Sequence, residues 1–134
     1  MARKFIDLLD SNGTAVLVNT SLITRISPTH GTNIDDGVDV IFITFGEPSL
    51  AMISVPASKM TPILHAVAES GSKFIDVRAV GGARVFLNAE YISHVTPTHG
   101  RDFSDGADLT VFGAQFQVPA SAVPAVLKGL EQVG

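Results

Sequence analysis

At 134 residues, with 46% apolar and only 16% charged side chains, the chain is long enough to bury a core and too apolar to remain disordered. Cysteine is absent, which excludes disulfides, thiolate metal sites and cysteine nucleophiles. The formal charge of −4 divides into −3 over residues 1–72, where four basic residues face seven acids, and −1 over residues 73–134, where five face six; neither half carries the basic excess that binding a phosphate backbone requires.

The first ten residues are Met-Ala-Arg-Lys-Phe-Ile-Asp-Leu-Leu-Asp, and Asp7 and Asp10 interrupt any apolar run suited to a signal peptide. Nothing approaches the run of about 20 apolar residues that spans a bilayer. A soluble, cytoplasmic protein with no membrane partner is expected. Residues 4–9 read as a strand, Asn12-Gly13 as a turn tolerant of positive φ, and residues 14–18 as the returning strand of a hairpin. Asn19 interrupts that strand, because its short side chain can bond the neighbouring backbone. Extended structure resumes over 22–26 and ends at Pro28-Thr-His-Gly31. Residues 38–45, rich in β-branched and aromatic side chains, and 50–55 form the next pair of strands around a turn at Gly46-Glu-Pro-Ser49. Met60, Ile63, Leu64 and Val67 then fall at i, i+3, i+4 and i+7, one face of a helix with Thr61 as its cap and Pro62 at its first position.

After Ser70-Gly-Ser72 the pattern starts again. Lys4-Phe-Ile-Asp7 recurs as Lys73-Phe-Ile-Asp76, and at the same shift of 69 Asn19 falls on Asn88 and Ile23 on Ile92. Pro28-Thr-His-Gly31 likewise falls on Pro97-Thr-His-Gly100, and Asp36-Gly37 on Asp105-Gly106. Val55-Pro-Ala-Ser58 matches Val118-Pro-Ala-Ser121 at a shift of 63, so the second copy is six residues shorter, at its last hairpin. Val123, Val126, Leu127 and Leu130 repeat the helical face, with Ser121 as cap and Pro124 in the first turn. Gly71 and Gly134 stand beyond the helix ends as stop signals. The ordered matches imply internal duplication. The expected fold is α+β: two β-β-β-β-α repeats, residues 1–70 and 73–134, packed as one structural domain with pseudo-two-fold symmetry.

The repeated loops hold the chemically capable side chains. His30 with Asp36 or Asp39, and His99 with Asp105 or Asp108, could bind a divalent metal or act as a proton-transfer pair. One His and one carboxylate are too few for a tight zinc site, so a metal requires both loops to meet. The alternative is a loop in which Pro sets φ, Thr bonds locally, Gly takes positive φ and the imidazoles bond to backbone or Asp. His65 and His94 correspond to Lys128 and Arg25, which reads as solvated surface; Arg3, Lys4, Arg25, Lys73 and Arg78 make at most a modest cationic stripe. No Gly-x-Ser-x-Gly, phosphate loop or dinucleotide fingerprint occurs, and the glutamates do not recur between copies. A non-enzymatic protein without a cofactor is expected.

Lys73-Phe-Ile-Asp, Val85-Phe-Leu-Asn88, Ile92 and Val95, followed by a strand pair and a helix, resemble the short bacterial FlbD-type module. That resemblance implies a small regulatory or assembly protein of bacteria or their phages and brings no catalytic residue; the Thr-His-Gly to Asp-Gly loop is an addition to it. A run of strands and then a helix, present twice, is also similar to the Whirly and coactivator-type single-strand DNA-binding fold, which binds through basic and aromatic sheet residues. This chain has no Trp and one Tyr, Tyr91. The expected function is therefore an interaction or regulatory module that binds protein or itself. Single-stranded nucleic acid is the alternative, and a metal at the paired loops is a second.

Overall fold

A hairpin begins the fold. In the computed structural model, which describes residues 5–9, 12–47, 49–69 and 73–133, β1 (Phe5–Leu9) pairs antiparallel with β2 (Ala15–Asn19). Alternation turns Ile6, Leu8 and Val18 inward and leaves Phe5, Leu9 and Leu17 outside. Gly13, at φ 78, supplies the turn. The Asn19 side chain then accepts the Ser21 N–H at 3.0 Å and caps a 3-10 turn over Thr20–Leu22. That turn breaks the strand: β3 (Ile23–Pro28) leaves for another sheet, where it pairs with β4 (Val38–Ile43), and β4 pairs with β5 (Leu50–Val55). Helix α1 (Ala57–Glu69) follows.

The same order recurs. Strands β6 (Phe74–Arg78) and β7 (Arg84–Asn88) form a hairpin, and Asn88 caps a 3-10 turn at Ala89–Tyr91. Strands β8 (Ile92–Pro97), β9 (Ala107–Val111) and β10 (Ala114–Val118) form a three-stranded sheet, and helix α2 spans Val123–Val133. The fold is α+β. Among the described residues each half holds five strands where four were expected, because the Asn turn divides a stretch that reads as one interrupted strand into two strands of different sheets.

Both helix starts differ from expectation. Helix α1 begins at Ala57, where the Lys59 N–H reaches Pro56 O at 2.9 Å, so Thr61 and Pro62 lie inside it. Pro62 survives there because it removes one intrahelical bond near the first turn while its ring stays exposed. Ser121 makes no capping bond among the described residues: it lies in a 3-10 turn, Ala120–Ala122, and Pro124 sits in the first turn of α2. The expected strand residue Lys4, the connection Ser70-Gly-Ser72 and the stop signals Gly71 and Gly134 lie outside the described residues.

Among the described residues, buried side chains form two clusters. Ile6, Leu8, Val18, Ile23, Ile26, Val38 and Val40 gather with Met60 and Val67 of α1. Ile75, Val77, Val85, Leu87, Leu109 and Val111 gather with Val123 and Val126 of α2. Within the first half β5 lies alongside β1, and within the second the Val80 N–H bonds Gln117 O at 2.8 Å, tying the β6 end to β10. Among the described residues one ladder crosses between the halves: β3 runs antiparallel to β7, with Arg25 opposite Leu87 and Ile26 opposite Phe86. The strands therefore follow one another as β2-β1, β5-β4-β3-β7-β6 and β10-β9-β8. A two-fold relation would also set β2 beside β8, and among the described residues that ladder is not formed. No helix among them is long and apolar enough to cross a membrane.

Candidate interaction surface

The two Pro-Thr-His-Gly loops are built on threonine, aspartate and glycine. Thr29 Oγ1 donates to Asp39 Oδ1 at 2.8 Å, and Thr98 Oγ1 to Asp108 Oδ1 at 2.9 Å. The Thr29 N–H reaches Gly37 O at 3.1 Å and the Thr98 N–H reaches Gly106 O at 3.3 Å, closing each loop. Gly37 and Gly106 stand at φ 118 and 119 against the last strand of their half, where a Cβ would come within 3.0 Å of Val55 O and 2.6 Å of Val118 O. Only glycine fits there. Asn33 and Asp102 cap the intervening 3-10 turns, accepting the N–H of Asp35 and of Ser104. The hydrogen bonds from Ser104, side chain and backbone, hold the Asp102 carboxyl below the usual aspartate range.

His30, Asp36, His99 and Asp105 are all exposed, on the outside of these loops. Asp39 and Asp108 are half-buried and engaged by threonine rather than by histidine. Among the described residues no three His, Asp or Glu side chains gather as metal ligands. His65 pairs with Glu69 at 2.8 Å one turn along α1, both exposed, and His94 Nδ1 lies 2.8 Å from Ser93 Oγ.

Chemistry of another kind appears where the halves meet. Asn88, only 1% exposed, caps its own turn through Oδ1 and donates from Nδ2 to Ile23 O at 2.9 Å. The Tyr91 hydroxyl donates to Ser21 O at 2.6 Å, and burial, with the nearby Glu90 charge, pushes that phenol's pKa up. The Arg25 guanidinium lies over the Phe116 ring at 5.3 Å; burial lowers its pKa, and its Nη1 has no hydrogen-bond partner among the described residues. On the outer face of the β6–β7 hairpin, Phe74 and Phe86 pack against the first core cluster. They line a cleft of about 330 Å³ with Ile26, Leu64, Val67 and Ala68. Arg84 clamps Asp76 through three contacts of 2.7–3.0 Å and covers Phe86 at 5.1 Å. The Asp76 hydrogen bond raises the Arg84 pKa, outweighing its desolvation.

The positions 69 residues earlier look different. Phe5, matching Phe74, is 48% exposed, and Leu17, matching Phe86, is 64% exposed. The Asn19 side chain caps Ser21 alone, and no bond from it to Ile92 O, the counterpart of Asn88 to Ile23, is formed among the described residues. On the other side, Ile23, Thr24 and Ile26 are fully buried in β3, whereas Ile92 and Val95 are half-buried and Ser93 is exposed in β8. Thr24 and Ser93 otherwise do the same thing, each donating its hydroxyl to the neighbouring strand, at Ile41 O and Thr110 O.

This surface lies beyond the loops that the residue types single out. A signal for it exists in the sequence: Phe5, Leu9 and Leu17 occupy the face of the first hairpin that strand alternation assigns to solvent. Comparison with family models, with curated proteins and with solved structures returns no match for this chain.

Proposed function

We propose that the chain is a non-enzymatic interaction module, two copies of one unit fused in tandem, that binds protein through the apolar outer face of its first hairpin. The observation that carries this reading is the cluster of Phe5, Leu9 and Leu17, each at least 45% exposed, on a hairpin whose β2 strand, among the described residues, pairs with β1 alone. Apolar side chains grouped on one exposed face beside an open strand edge favour contact with another polypeptide. Size-exclusion chromatography with light scattering, together with affinity capture by purified protein, tests the proposal. Self-association or a retained partner, either one lost in Leu17→Asp, is expected. A protein that stays monomeric when concentrated and retains nothing overturns it.

A further inference from the structure

We infer that the occupant of the open hairpin is a second copy of this chain, docked head to tail, with β8 of one molecule running antiparallel to β2 of the next. This deepens the interaction reading and rests on the two halves being copies of one unit. Within the chain the unit already shows how it binds another of its kind. The β3 edge of the first half receives β7 of the second, Ile23 O receives the Asn88 amide, and Leu64 and Val67 lie under Phe74 and Phe86. Each of those groups has a counterpart, and among the described residues the strand edges and the hairpin side chains of that second set are unpaired or exposed. The β8 edge is the counterpart of β3, and β2 of β7. Asn19 corresponds to Asn88, and Phe5 and Leu17 to Phe74 and Phe86. Leu127 and Leu130, half-buried on α2, correspond to Leu64 and Val67.

The exposures differ between matched positions in the sense this predicts on both sides of the joint. Phe5 and Leu17 on the receiving hairpin are exposed where Phe74 and Phe86 are half-buried, and Ser93 on the offered edge is exposed where Thr24 is fully buried. Repeating the internal joint between molecules sets His94 opposite Val18 and Val95 opposite Leu17 of the next chain, and gives the Asn19 amide Ile92 O as acceptor. The two surfaces are different, so the contact is heterologous: each added molecule presents a fresh β2 or β8, and the series closes as a ring or continues as a fibre.

Two exposed positions test this without touching either core. Leu17→Asp blocks the hairpin face and Ser93→Glu blocks the β8 edge, each by burying an unpaired charge in the joint. Each is expected to weaken association at least about a hundredfold, the scale of such a charge at an interface. By light scattering, wild type forms species larger than two chains, each variant alone stays monomeric, and an equimolar mixture forms a species of two chains and nothing larger. That last result arises because one open face of each variant remains intact. Asn19→Asp, which keeps an oxygen for the Ser21 N–H but loses the amide donor, weakens assembly while leaving circular dichroism and melting unchanged. A wild type that stays monomeric when concentrated, either single variant assembling as wild type does, or a mixture that stays monomeric overturns head-to-tail docking. A monomer that still captures a different protein through Leu17 overturns it too, while leaving the broader interaction reading intact.

Discussion

A methyl group on Gly106 would meet Val118 O at 2.6 Å, and on Gly37 would meet Val55 O at 3.0 Å, both from a backbone near φ 119 that side chains rarely adopt. Both neighbours are backbone, so relief requires moving a strand. Gly106→Ala is expected to destabilise the protein by about 2–3 kcal/mol, and Gly37→Ala by somewhat less. Urea denaturation measures both; a Gly106→Ala protein within about 0.5 kcal/mol of wild type would contradict the closure described for this loop. In the sequence the recurring Pro-Thr-His-Gly draws attention to this region. Residue type alone draws the eye to His30 and His99, yet the side-chain bonds across the loops join Thr29 to Asp39 and Thr98 to Asp108. Side-chain chemistry is legible letter by letter. Which side chain faces inward depends on a loop path that no local rule sets.

At the scale of elements, Pro62 offers the sharpest contrast. It sits five residues into α1, where its missing N–H leaves Ser58 O without the usual intrahelical partner, whereas Pro124 occupies the second position of α2, where no such bond exists to lose. Pro62→Ala is therefore expected to stabilise by about 1–3 kcal/mol and raise the melting temperature by several degrees, with Pro124→Ala near neutral. Calorimetry decides; equal effects at the two sites would mean that α1 effectively begins at Pro62. Strands and hairpins were readable because alternation and turn residues report them directly, and β5 at Leu50–Val55 coincides with the run read from the sequence. Helix starts were less so. Proline chemistry favours the first turn without enforcing it, and the buried face from Met60 to Val67 is equally well served by a helix that begins earlier.

For the whole molecule the deciding feature is the β3–β7 joint, formed by residues about sixty positions apart. Phe86 belongs by sequence to the second half but covers the first core cluster. Phe86→Ala is expected to cost about 2 kcal/mol, and hydrogen exchange should locate the loss, with β3 and α1 losing more protection than β9 and β10. Uniform loss, or loss confined to the second half, would argue against this division of labour. Periodicity shows that Phe86 and Leu17 lie on outward hairpin faces, but it does not show that one of those faces is covered and the other open. Long-range pairing is settled by which edges meet, and strand alternation alone does not choose between them.

Phe45 is 89% exposed at the start of the longer β4–β5 turn, on a chain held on both sides by a ladder of six residue pairs and by the Thr44 N–H to Ser49 O bond. A proteolytic nick there would sever the backbone without parting the sheet, so the two fragments would remain associated until denatured. The same turn could carry new chain ends, or an inserted reporter, at a site remote by sequence from β2 and β8.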